Sequence, residues 1–433
     1  MIAPGGRLTG RLPVPGDKSI SHRALILAAL AEGVTRIDGF LDSADCRATL
    51  TALQTLGITI ELGSDASVTV HGGGTSELRA PAQPLDCGNS GTSMRLLAGM
   101  LAGQPFSATL SGDDSLRRRP MERVVKPLQR MGARIESLDG CAPLTVHGRQ
   151  PLKPLRYALP VASAQVKSAL LLAGLFAEGE TWLREPAATR DHTERMLTAF
   201  GGECLQVEGW IGIRGGNRLR ATPIQVPGDL SSAAFFLVGA AIATHAHLVL
   251  EDVGVNPTRT GIISLLRAMG ADIRFHGEHL RGVEPVADIE VRASQLHGIH
   301  INPENVPLAI DELPVLLVAA ACADGVTTLR GAAELRVKES DRLQSMATGL
   351  RMLGVGVETW EDGMQVTGSG TFTGGTVDAA GDHRIAMAFA MAGLRATAPI
   401  HIRDCRNVDT SFPGFARTAR AAGLAIDSVE DAP

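Results

Sequence analysis

Lysine and arginine side chains stand beside predicted helix starts and loops at several points along the chain. The six that could act together are Lys18, Arg23, Arg119, Lys338, Arg342 and Arg384. They cannot all be buried without anionic partners. An arginine fork binds carboxylate or phosphate through two hydrogen bonds, and lysine adds a compact charge near a transferred group. The set therefore predicts a site for small substrates that carry several negative charges.

Helices that open on hydrogen-bonding residues would add to such a site. Six predicted buried helices do so, at Asp17-Lys18-Ser19, Asn89-Ser90-Gly91-Thr92, Ser163-Ala164-Gln165, Asp229-Leu230-Ser231-Ser232, Asp311-Glu312 and Asp382-His383-Arg384. A helix N-terminus carries unpaired N–H groups and about half a positive charge, which attracts phosphate and carboxylate. Serine, aspartate and asparagine also cap helices that bind nothing, so a single start does not distinguish a cap from a site.

Internal repetition predicts the elements that must position these residues. In one register, an apolar helix leads into a β-branched strand, with six copies at 23–37, 95–110, 166–183, 233–250, 313–329 and 384–402. In the other, an amphipathic helix ends at glycine before a strand, again six times, at Gly57, Gly132, Gly201, Gly270, Gly354 and Gly423. Glycine in this position fits a left-handed helix C-cap. The repeats indicate six α/β subdomains.

A longer echo divides the six subdomains into two sets of three. Val14-Pro15-Gly16-Asp17 recurs as Val226-Pro227-Gly228-Asp229, and Pro-Gly pairs are suitable crossing points between lobes. We therefore predict an inserted lobe at residues 17–228 and a discontinuous lobe at 1–16 plus 229–433. The predicted hinges lie near 14–17 and 226–229.

Composition and spacing exclude several function classes. The net charge of −5, with scattered basic residues, predicts no nucleic-acid or membrane partner. The N-terminus lacks the apolar run of a signal peptide, so a cytoplasmic protein is expected. Six dispersed cysteines and twelve histidines form no zinc spacing or HExxH motif, so no metal is expected. No cofactor is expected either, because Gly368-Ser369-Gly370 lacks the spacing of a nicotinamide-binding motif.

Four motifs, taken with Asp382-His383-Arg384, resemble those of the 5-enolpyruvylshikimate-3-phosphate synthases. They are PGDKSISHR at 15–23, GNSGTSMR at 88–95, RPM at 119–121 and RVKESDR at 336–342, in family order along nearly the whole chain. The resemblance implies a two-lobed, inside-out α/β barrel of the enolpyruvyl transferase type, with six βαβαββ repeats, three per lobe. It also implies transfer of the enolpyruvyl group of phosphoenolpyruvate to shikimate 3-phosphate. We expect a monomer.

Carried over by position, the resemblance assigns residues to each substrate. Those implied for shikimate 3-phosphate are Lys18, Ser19, Arg23, Ser163, Ala164, Gln165, Asp311 and Lys338. Those implied for phosphoenolpyruvate are Lys18, Gly91, Arg119, Gln165, Arg342 and Arg384. Asp311 would accept the proton of the sugar 5-hydroxyl, and Glu339 and Lys18 are alternative proton donors to C3 of the enolpyruvate. Without the other motifs, Asp311 would be interpreted as a helix cap and Glu339 as a surface partner of Arg342.

Four positions, Ala164, Arg190, Glu334 and Thr410, depart from the commonest bacterial and plant pattern. They resemble the second, often glyphosate-tolerant class of the family. In that class Arg190 would assist the phosphate of shikimate 3-phosphate, whereas Thr410 replaces a lysine near phosphoenolpyruvate. Gly91 stands where the best-known tolerant member has alanine, so only partial tolerance is expected.

Two other functions stay open at this point. The enolpyruvyl transferase that acts on UDP-N-acetylglucosamine resembles this fold, but it normally carries a cysteine where this chain has Asp114. A non-catalytic protein that binds phosphorylated metabolites would use the cations. It would not need Asp311 together with Glu339.

Overall fold

The structure of the chain is a computed structural model that describes residues 1–427. These residues contain fourteen α-helices. In chain order the helices are α1 (Lys18–Leu30), α2 (Ala44–Thr55), α3 (Gly91–Ala102), α4 (Asp114–Arg117), α5 (Glu122–Arg130), α6 (Ala164–Gly174), α7 (His192–Ala199), α8 (Leu230–Ile242), α9 (Gly261–Ala268), α10 (Val306–Ala309), α11 (Leu313–Cys322), α12 (Arg342–Met352), α13 (His383–Ala392) and α14 (Phe415–Ala422).

The same residues contain twenty-five β-strands. In chain order the strands are β1 (Ile2–Gly6), β2 (Leu8–Pro13), β3 (Ala31–Asp38), β4 (Thr59–Leu62), β5 (Val68–Gly73), β6 (Leu85–Asp86), β7 (Ser107–Ser111), β8 (Arg134–Leu138), β9 (Cys141–His147), β10 (Arg156–Ala158), β11 (Glu180–Arg184), β12 (Cys204–Val207), β13 (Trp210–Arg214), β14 (Leu219–Arg220), β15 (Ile224–Gln225), β16 (Ala246–Gly254), β17 (Asp272–Arg281), β18 (Glu284–Arg292), β19 (His300–Ile301), β20 (Val326–Leu329), β21 (Gly356–Trp360), β22 (Gly363–Thr367), β23 (Gly375–Asp378), β24 (Ile400–Arg403) and β25 (Leu424–Ile426).

The chain forms two compact units, each of which is described by itself. The terminal unit consists of Met1–Pro15, Pro227–Leu280 and the residues from Pro285 onward, and the inserted unit consists of Gly16–Val226 with Arg281–Glu284. Arg281–Glu284 forms the turn between β17 and β18. The sequence does not predict that this turn belongs to the inserted unit. The hinge role of residues 14–17 and 226–229 stays a prediction.

Within residues 1–427 the strands form six sheets, three in each unit. All six share one plan, in which a parallel pair at one edge is followed by two antiparallel pairings. For example, β6 is parallel to β7, β7 is antiparallel to β9, and β9 is antiparallel to β8. Distant parts of the chain complete three of the sheets, since β1 joins β24, β2 joins β16 and β14 joins β3. The predicted α/β class with three repeats per lobe is confirmed.

Helices, rather than sheets, form the interior of each unit. In the inserted unit α1, α3 and α6 are buried along most of their length, and in the terminal unit α8, α11 and α13 are. A helix that is apolar on all sides has to be covered, and the half-exposed sheets cover these. Among the described residues no single helix is long and apolar enough to cross a membrane; one bent pair, Pro303–Ala309 with Leu313–Cys322, has the length and composition to do so.

The amphipathic helices end at the six predicted glycines. The six residues, Gly57, Gly132, Gly201, Gly270, Gly354 and Gly423, have φ angles between +83° and +111°. An L side chain in the left-handed region costs roughly 1–2 kcal/mol, so glycine is the favoured residue at each end. The repeated glycines found in the sequence therefore mark the ends of helices in the structure.

Five of the six buried helices begin with the predicted cap. The side chains of Asp17, Ser90, Ser163, Asp229 and Asp382 each accept a hydrogen bond from a backbone N–H of the first turn. The sixth opening differs, because α11 begins at Leu313 and its N-cap residue Glu312 makes no side-chain cap bond. The interpretation of Asp311 as a helix cap is therefore wrong.

Candidate active site

The first turn of α1 carries Lys18 in the inserted unit. Asp17 caps this turn by accepting a hydrogen bond from the N–H of Ile20 at 2.9 Å. Lys18 Nζ lies 2.9 Å from Asp45 Oδ2, and the two side chains are 16% and 9% exposed. An ion pair that is mostly removed from water holds the ammonium group in one place more firmly than a surface pair does.

Arg23 lies one turn further along α1 and is buried. Its Nε donates to Thr193 Oγ1 at 2.7 Å, its Nη2 donates to Ser168 Oγ at 2.7 Å, and its Nη1 donates to the carbonyl oxygen of Ser19 at 2.9 Å. The acceptors in these three bonds are neutral oxygens. These three bonds orient the guanidinium group.

Arg119 is held in a similar way and is also buried. Its Nη2 donates to Asn89 Oδ1 at 2.8 Å and to Ser115 Oγ at 3.2 Å. Asn89 stands just before α3, so the arginine of the RPM motif lies at the start of that helix. This placement suits an anion that the helix N-terminus and the arginine would share.

Arg95 connects the first turns of α3 and α6. Its Nη1 donates to Gln165 Oε1 at 2.6 Å and to the carbonyl oxygen of Gly91 at 3.4 Å. Gln165 Nε2 in turn donates to Thr92 Oγ1 at 2.9 Å. Because Arg23 joins α1 to Ser168 of α6, the first turns of three helices lie together in this unit. We call Lys18, Arg23, Arg95 and Arg119 the cation cluster.

The remaining predicted residues of the inserted unit fall at or near α6. Ser163 caps this helix by accepting a hydrogen bond from the N–H of Val166 at 3.3 Å, and Ala164 is its first residue. Arg190 is half-buried in the segment between β11 and α7. The next helix begins two residues later and provides Thr193, which holds Arg23.

His22 is a buried histidine beside Lys18 and Arg23 of the cation cluster. His22 is fully buried, and its Nδ1 lies 2.8 Å from Thr49 Oγ1. Burial, with the nearby charges of Lys18 and Arg23, holds the pKa of His22 well below its ordinary value of 6.5. The imidazole is therefore neutral at neutral pH.

Arg342 is the centre of a second cluster, in the terminal unit. Its side chain is 1% exposed, and its Nε lies 2.8 Å from Asp382 Oδ2 while its Nη2 lies 2.6 Å from Glu339 Oε2. Burial alone would lower the pKa of Arg342, but the charges of Asp382 and Glu339 outweigh it and raise that pKa above its ordinary value. The predicted pairing of Glu339 with Arg342 is present, although the arginine is buried rather than at the surface.

Asp311 lies among three cations of the terminal unit. Its Oδ1 is 3.5 Å from Lys338 Nζ and 3.4 Å from Arg342 Nη1, and its Oδ2 is 3.8 Å from Arg384 Nη2. Arg384 also donates to the backbone oxygen of Asp311 at 2.9 Å. These side-chain distances exceed those between Arg342 and its other two carboxylates. Asp311 is thus held among cations of both α12 and α13. We call Asp311, Glu339 and Asp382, with Lys338, Arg342 and Arg384, the paired cluster.

Sequence reasoning missed the side chains that hold the predicted residues. These are Asp45 beside Lys18, Thr193 and Ser168 around Arg23, Asn89 and Ser115 around Arg119, and Asp382 behind Arg342. Asp382 was visible as part of a motif and as a helix start, although its ion pair was not. Asp45 and Ser168 gave no signal, because each meets its partner only through the fold.

The two clusters offer anion binding and proton transfer. Among residues 1–427, no group of three or more histidine, cysteine, aspartate and glutamate side chains has the arrangement to hold a metal ion. Helix N-termini and oriented arginines bind phosphate and carboxylate, and carboxylates near cations act as general acids and bases. This set of groups suits the transfer of a group between two anionic substrates.

Comparisons with known proteins show which family the chain resembles. A family model described as EPSP synthase (3-phosphoshikimate 1-carboxyvinyltransferase) matches residues 2–418. A protein of Alkalilimnicola ehrlichii named 3-phosphoshikimate 1-carboxyvinyltransferase is 60% identical over 98% of this chain and 96% of its own length. A Coxiella burnetii protein of the same name is 52% identical over 98% and 97%. A solved structure of EPSP synthase from Acinetobacter baumannii matches with a TM-score of 0.88 and 52% identity, covering 99% of this chain and 98% of its own.

The fold and these relatives identify a transferase built on two units of three α/β repeats. Within that class, the chain belongs to the EPSP synthase family, because the family model and the relatives match nearly its whole length.

Proposed function

We infer that the chain transfers the enolpyruvyl group of phosphoenolpyruvate to the 5-hydroxyl of shikimate 3-phosphate, which yields 5-enolpyruvylshikimate 3-phosphate and phosphate. This is the step of the shikimate pathway that leads toward chorismate and the aromatic amino acids. The observation that carries the mechanism is Asp311, a partly exposed carboxylate set at 3.4–3.8 Å from three cations. A carboxylate placed in this way can take a proton from a hydroxyl while the cations stabilise charge.

The proposed reaction has two steps. Asp311 accepts the proton of the 5-hydroxyl as that oxygen attacks C2 of the enolpyruvate, and Glu339 or Lys18 protonates C3. The resulting tetrahedral intermediate then loses a proton from C3 and releases phosphate. General acid and base groups of this kind contribute about 10²–10⁴-fold to a rate.

We propose that the cation cluster and the paired cluster bind the substrates as the family resemblance assigns them. Shikimate 3-phosphate contacts Lys18, Ser19, Arg23, Ser163, Ala164, Gln165, Arg190, Asp311 and Lys338. Phosphoenolpyruvate contacts Lys18, Gly91, Arg119, Gln165, Arg342 and Arg384.

Phosphate release from purified protein tests the reaction. We expect release only when phosphoenolpyruvate and shikimate 3-phosphate are both present, without added metal or nicotinamide. Release with UDP-N-acetylglucosamine in place of the shikimate phosphate would favour the rival transferase. No release in either mixture would favour a binding protein. Gel filtration and cell fractionation test the further proposals of a monomer and a cytoplasmic location.

We also propose that the phosphoenolpyruvate pocket is of the second, often glyphosate-tolerant class, with partial tolerance. Thr410 replaces the lysine of the commoner pattern, and its hydroxyl donates to the backbone oxygen of Asn407 at 2.6 Å. One cation is therefore missing from the phosphoenolpyruvate site. Inhibition by glyphosate at concentrations no higher than the KM for phosphoenolpyruvate would contradict this proposal.

Gly91→Ala sharpens the test of tolerance. A Cβ at Gly91 would lie 2.7 Å from Arg95 Nη1 and 3.4 Å from Arg119 Nη1, so the Arg95 guanidinium would have to move. Because Arg95 holds Gln165, we expect the KM for phosphoenolpyruvate to rise. We expect the inhibition constant of the longer glyphosate to rise more. An equal rise in the two constants would show that the Cβ does not discriminate between them.

A further inference from the structure

A buried ammonium group stands next to the residues that hold Arg23. Lys167, in α6, is 1% exposed, and its Nζ lies 2.8 Å from Glu185 Oε2 and 2.7 Å from Glu194 Oε1. Both carboxylate side chains are 7% exposed. Taking three charged groups out of water is costly, and replacement of such groups by apolar residues often leaves stability unchanged or improves it. Stability alone therefore gives no reason for this arrangement.

Lys167 joins the two helices that hold Arg23. Ser168 follows Lys167 in α6, and Thr193 precedes Glu194 in α7. The Thr193 hydroxyl donates a hydrogen bond to Ser168 Oγ at 2.6 Å. Both hydroxyls accept hydrogen bonds from Arg23. The ion pair between α6 and α7 therefore stands beside the hydroxyl pair. A displacement of α7 against α6 would move both acceptors of the arginine.

The same ammonium group fixes the segment that carries Arg190. Lys167 Nζ donates to the backbone oxygen of Thr189 at 3.4 Å, and the Thr189 hydroxyl donates to Glu185. Arg190 follows directly in the chain. Burial by itself lowers the pKa of Lys167, but the charges of Glu194 and Glu185 outweigh burial and raise that pKa above its ordinary value. The group therefore stays charged and keeps all of these contacts.

We propose that Lys167 is a positioning residue for shikimate 3-phosphate: it sets α6, α7 and the segment before α7 so that Arg23 and Arg190 meet the substrate phosphate. The inference rests on the proposed contacts of these two arginines with shikimate 3-phosphate. It predicts a larger effect on shikimate 3-phosphate than on phosphoenolpyruvate, because, of the proposed contacts near Lys167, only Gln165, in the same helix, is shared by both substrates. Arg119, proposed for phosphoenolpyruvate, is held by Asn89 and Ser115 instead.

Lys167→Met, which keeps the length of the side chain and removes its charge, tests the proposal. We expect the KM for shikimate 3-phosphate to rise about tenfold, the factor for loss of roughly one hydrogen bond to a charged group. The KM for phosphoenolpyruvate should rise less than that for shikimate 3-phosphate, and kcat should stay close to wild type. The matched control is Leu172→Ala, which removes a buried apolar side chain from the same helix. It should lower the melting temperature and leave both KM values unchanged.

A double variant separates positioning from stability. Lys167→Met leaves two carboxylates buried without their cation, which can prevent folding. Lys167→Met/Glu194→Gln removes one of these charges, so we expect a folded protein whose KM for shikimate 3-phosphate is still raised. A wild-type KM for this substrate in either folded variant would overturn the inference.

Arg23→Lys distinguishes failure of this inference from failure of the proposed site. If Arg23→Lys raises the KM for shikimate 3-phosphate and the Lys167 variants do not, the substrate contacts stand and the positioning role falls. If none of these variants changes that KM, the proposed placement of shikimate 3-phosphate falls too.

Discussion

The cation cluster and the paired cluster hold their arginines in opposite ways. In the inserted unit, the hydrogen bonds described for Arg23 and Arg119 end on hydroxyl, amide and carbonyl oxygens. In the terminal unit, Arg342 faces the carboxylates of Asp382, Glu339 and Asp311. Hydrogen bonds to neutral acceptors fix the direction of a guanidinium group. Carboxylates cancel its charge and bring proton acceptors with them.

The two clusters share the proposed anion contacts, because phosphoenolpyruvate is assigned to Lys18 and Arg119 in one and to Arg342 and Arg384 in the other. The paired cluster adds carboxylates beside its cations: Asp311 is the proposed proton acceptor, and Glu339 is one of the two proposed proton donors. The comparison predicts that substitutions in the two clusters should alter different kinetic and thermodynamic quantities.

The largest expected effect is on turnover, in the paired cluster. We expect Asp311→Asn or Glu339→Gln to reduce kcat by about 10²–10⁴-fold, because each removes a proposed proton-transfer group. Equilibrium binding of both substrates should persist. Glu304→Gln, at an exposed carboxylate of the same unit, should turn over like wild type. Near-wild-type turnover in either test variant would remove that residue from its assigned role.

A pair of arginine substitutions compares the stability of the two clusters. We expect Arg342→Met to lower the free energy of unfolding by about 3–5 kcal/mol, because it leaves carboxylates buried without their cation. Arg23→Met should cost about 1–3 kcal/mol, since the partners described for it are neutral hydrogen-bond acceptors. Urea unfolding of both variants measures the difference. Equal losses would show that the two environments do not differ in this way.

The smallest expected effect is a pH dependence that arises in the cation cluster. Because the pKa of His22 is lowered in the folded state, acid protonates the unfolded chain first and so favours unfolding. As the pH falls below about 6.5, this histidine should lower the free energy of unfolding by about 1.4 kcal/mol per pH unit. His22→Asn should flatten the slope measured by urea unfolding between pH 7 and 5.

An exposed histidine serves as the control for this prediction. His279→Gln should keep the wild-type slope, because His279 lies at the surface of the terminal unit. An unchanged slope in His22→Asn would mean that burial and the nearby cations do not oppose protonation of this imidazole.

Much of the fold could be predicted because its signals are local. An apolar helix, a terminal glycine and the following strand are each written in a few consecutive residues, and all six glycines have the left-handed conformation. The sixfold repeat and the two sets of three followed from these patterns. The sequence could not predict that the β17–β18 turn, Arg281–Glu284, belongs to the inserted unit. No pattern in the neighbouring residues indicates which unit the turn joins.

The sequence by itself determined the chemical groups of the site: the cations, the two proposed proton-transfer carboxylates and the helix starts beside them. Only the tertiary structure decided which partners hold those groups. Arg23 meets Thr193 across 170 positions of the chain, and Arg342 meets Asp382 across 40. Helix and turn preferences act over a few residues, whereas an ion pair or a hydrogen bond between distant residues depends on how the helices pack. The same packing places Lys167 between two carboxylates, where we propose that it positions Arg23 without contacting it.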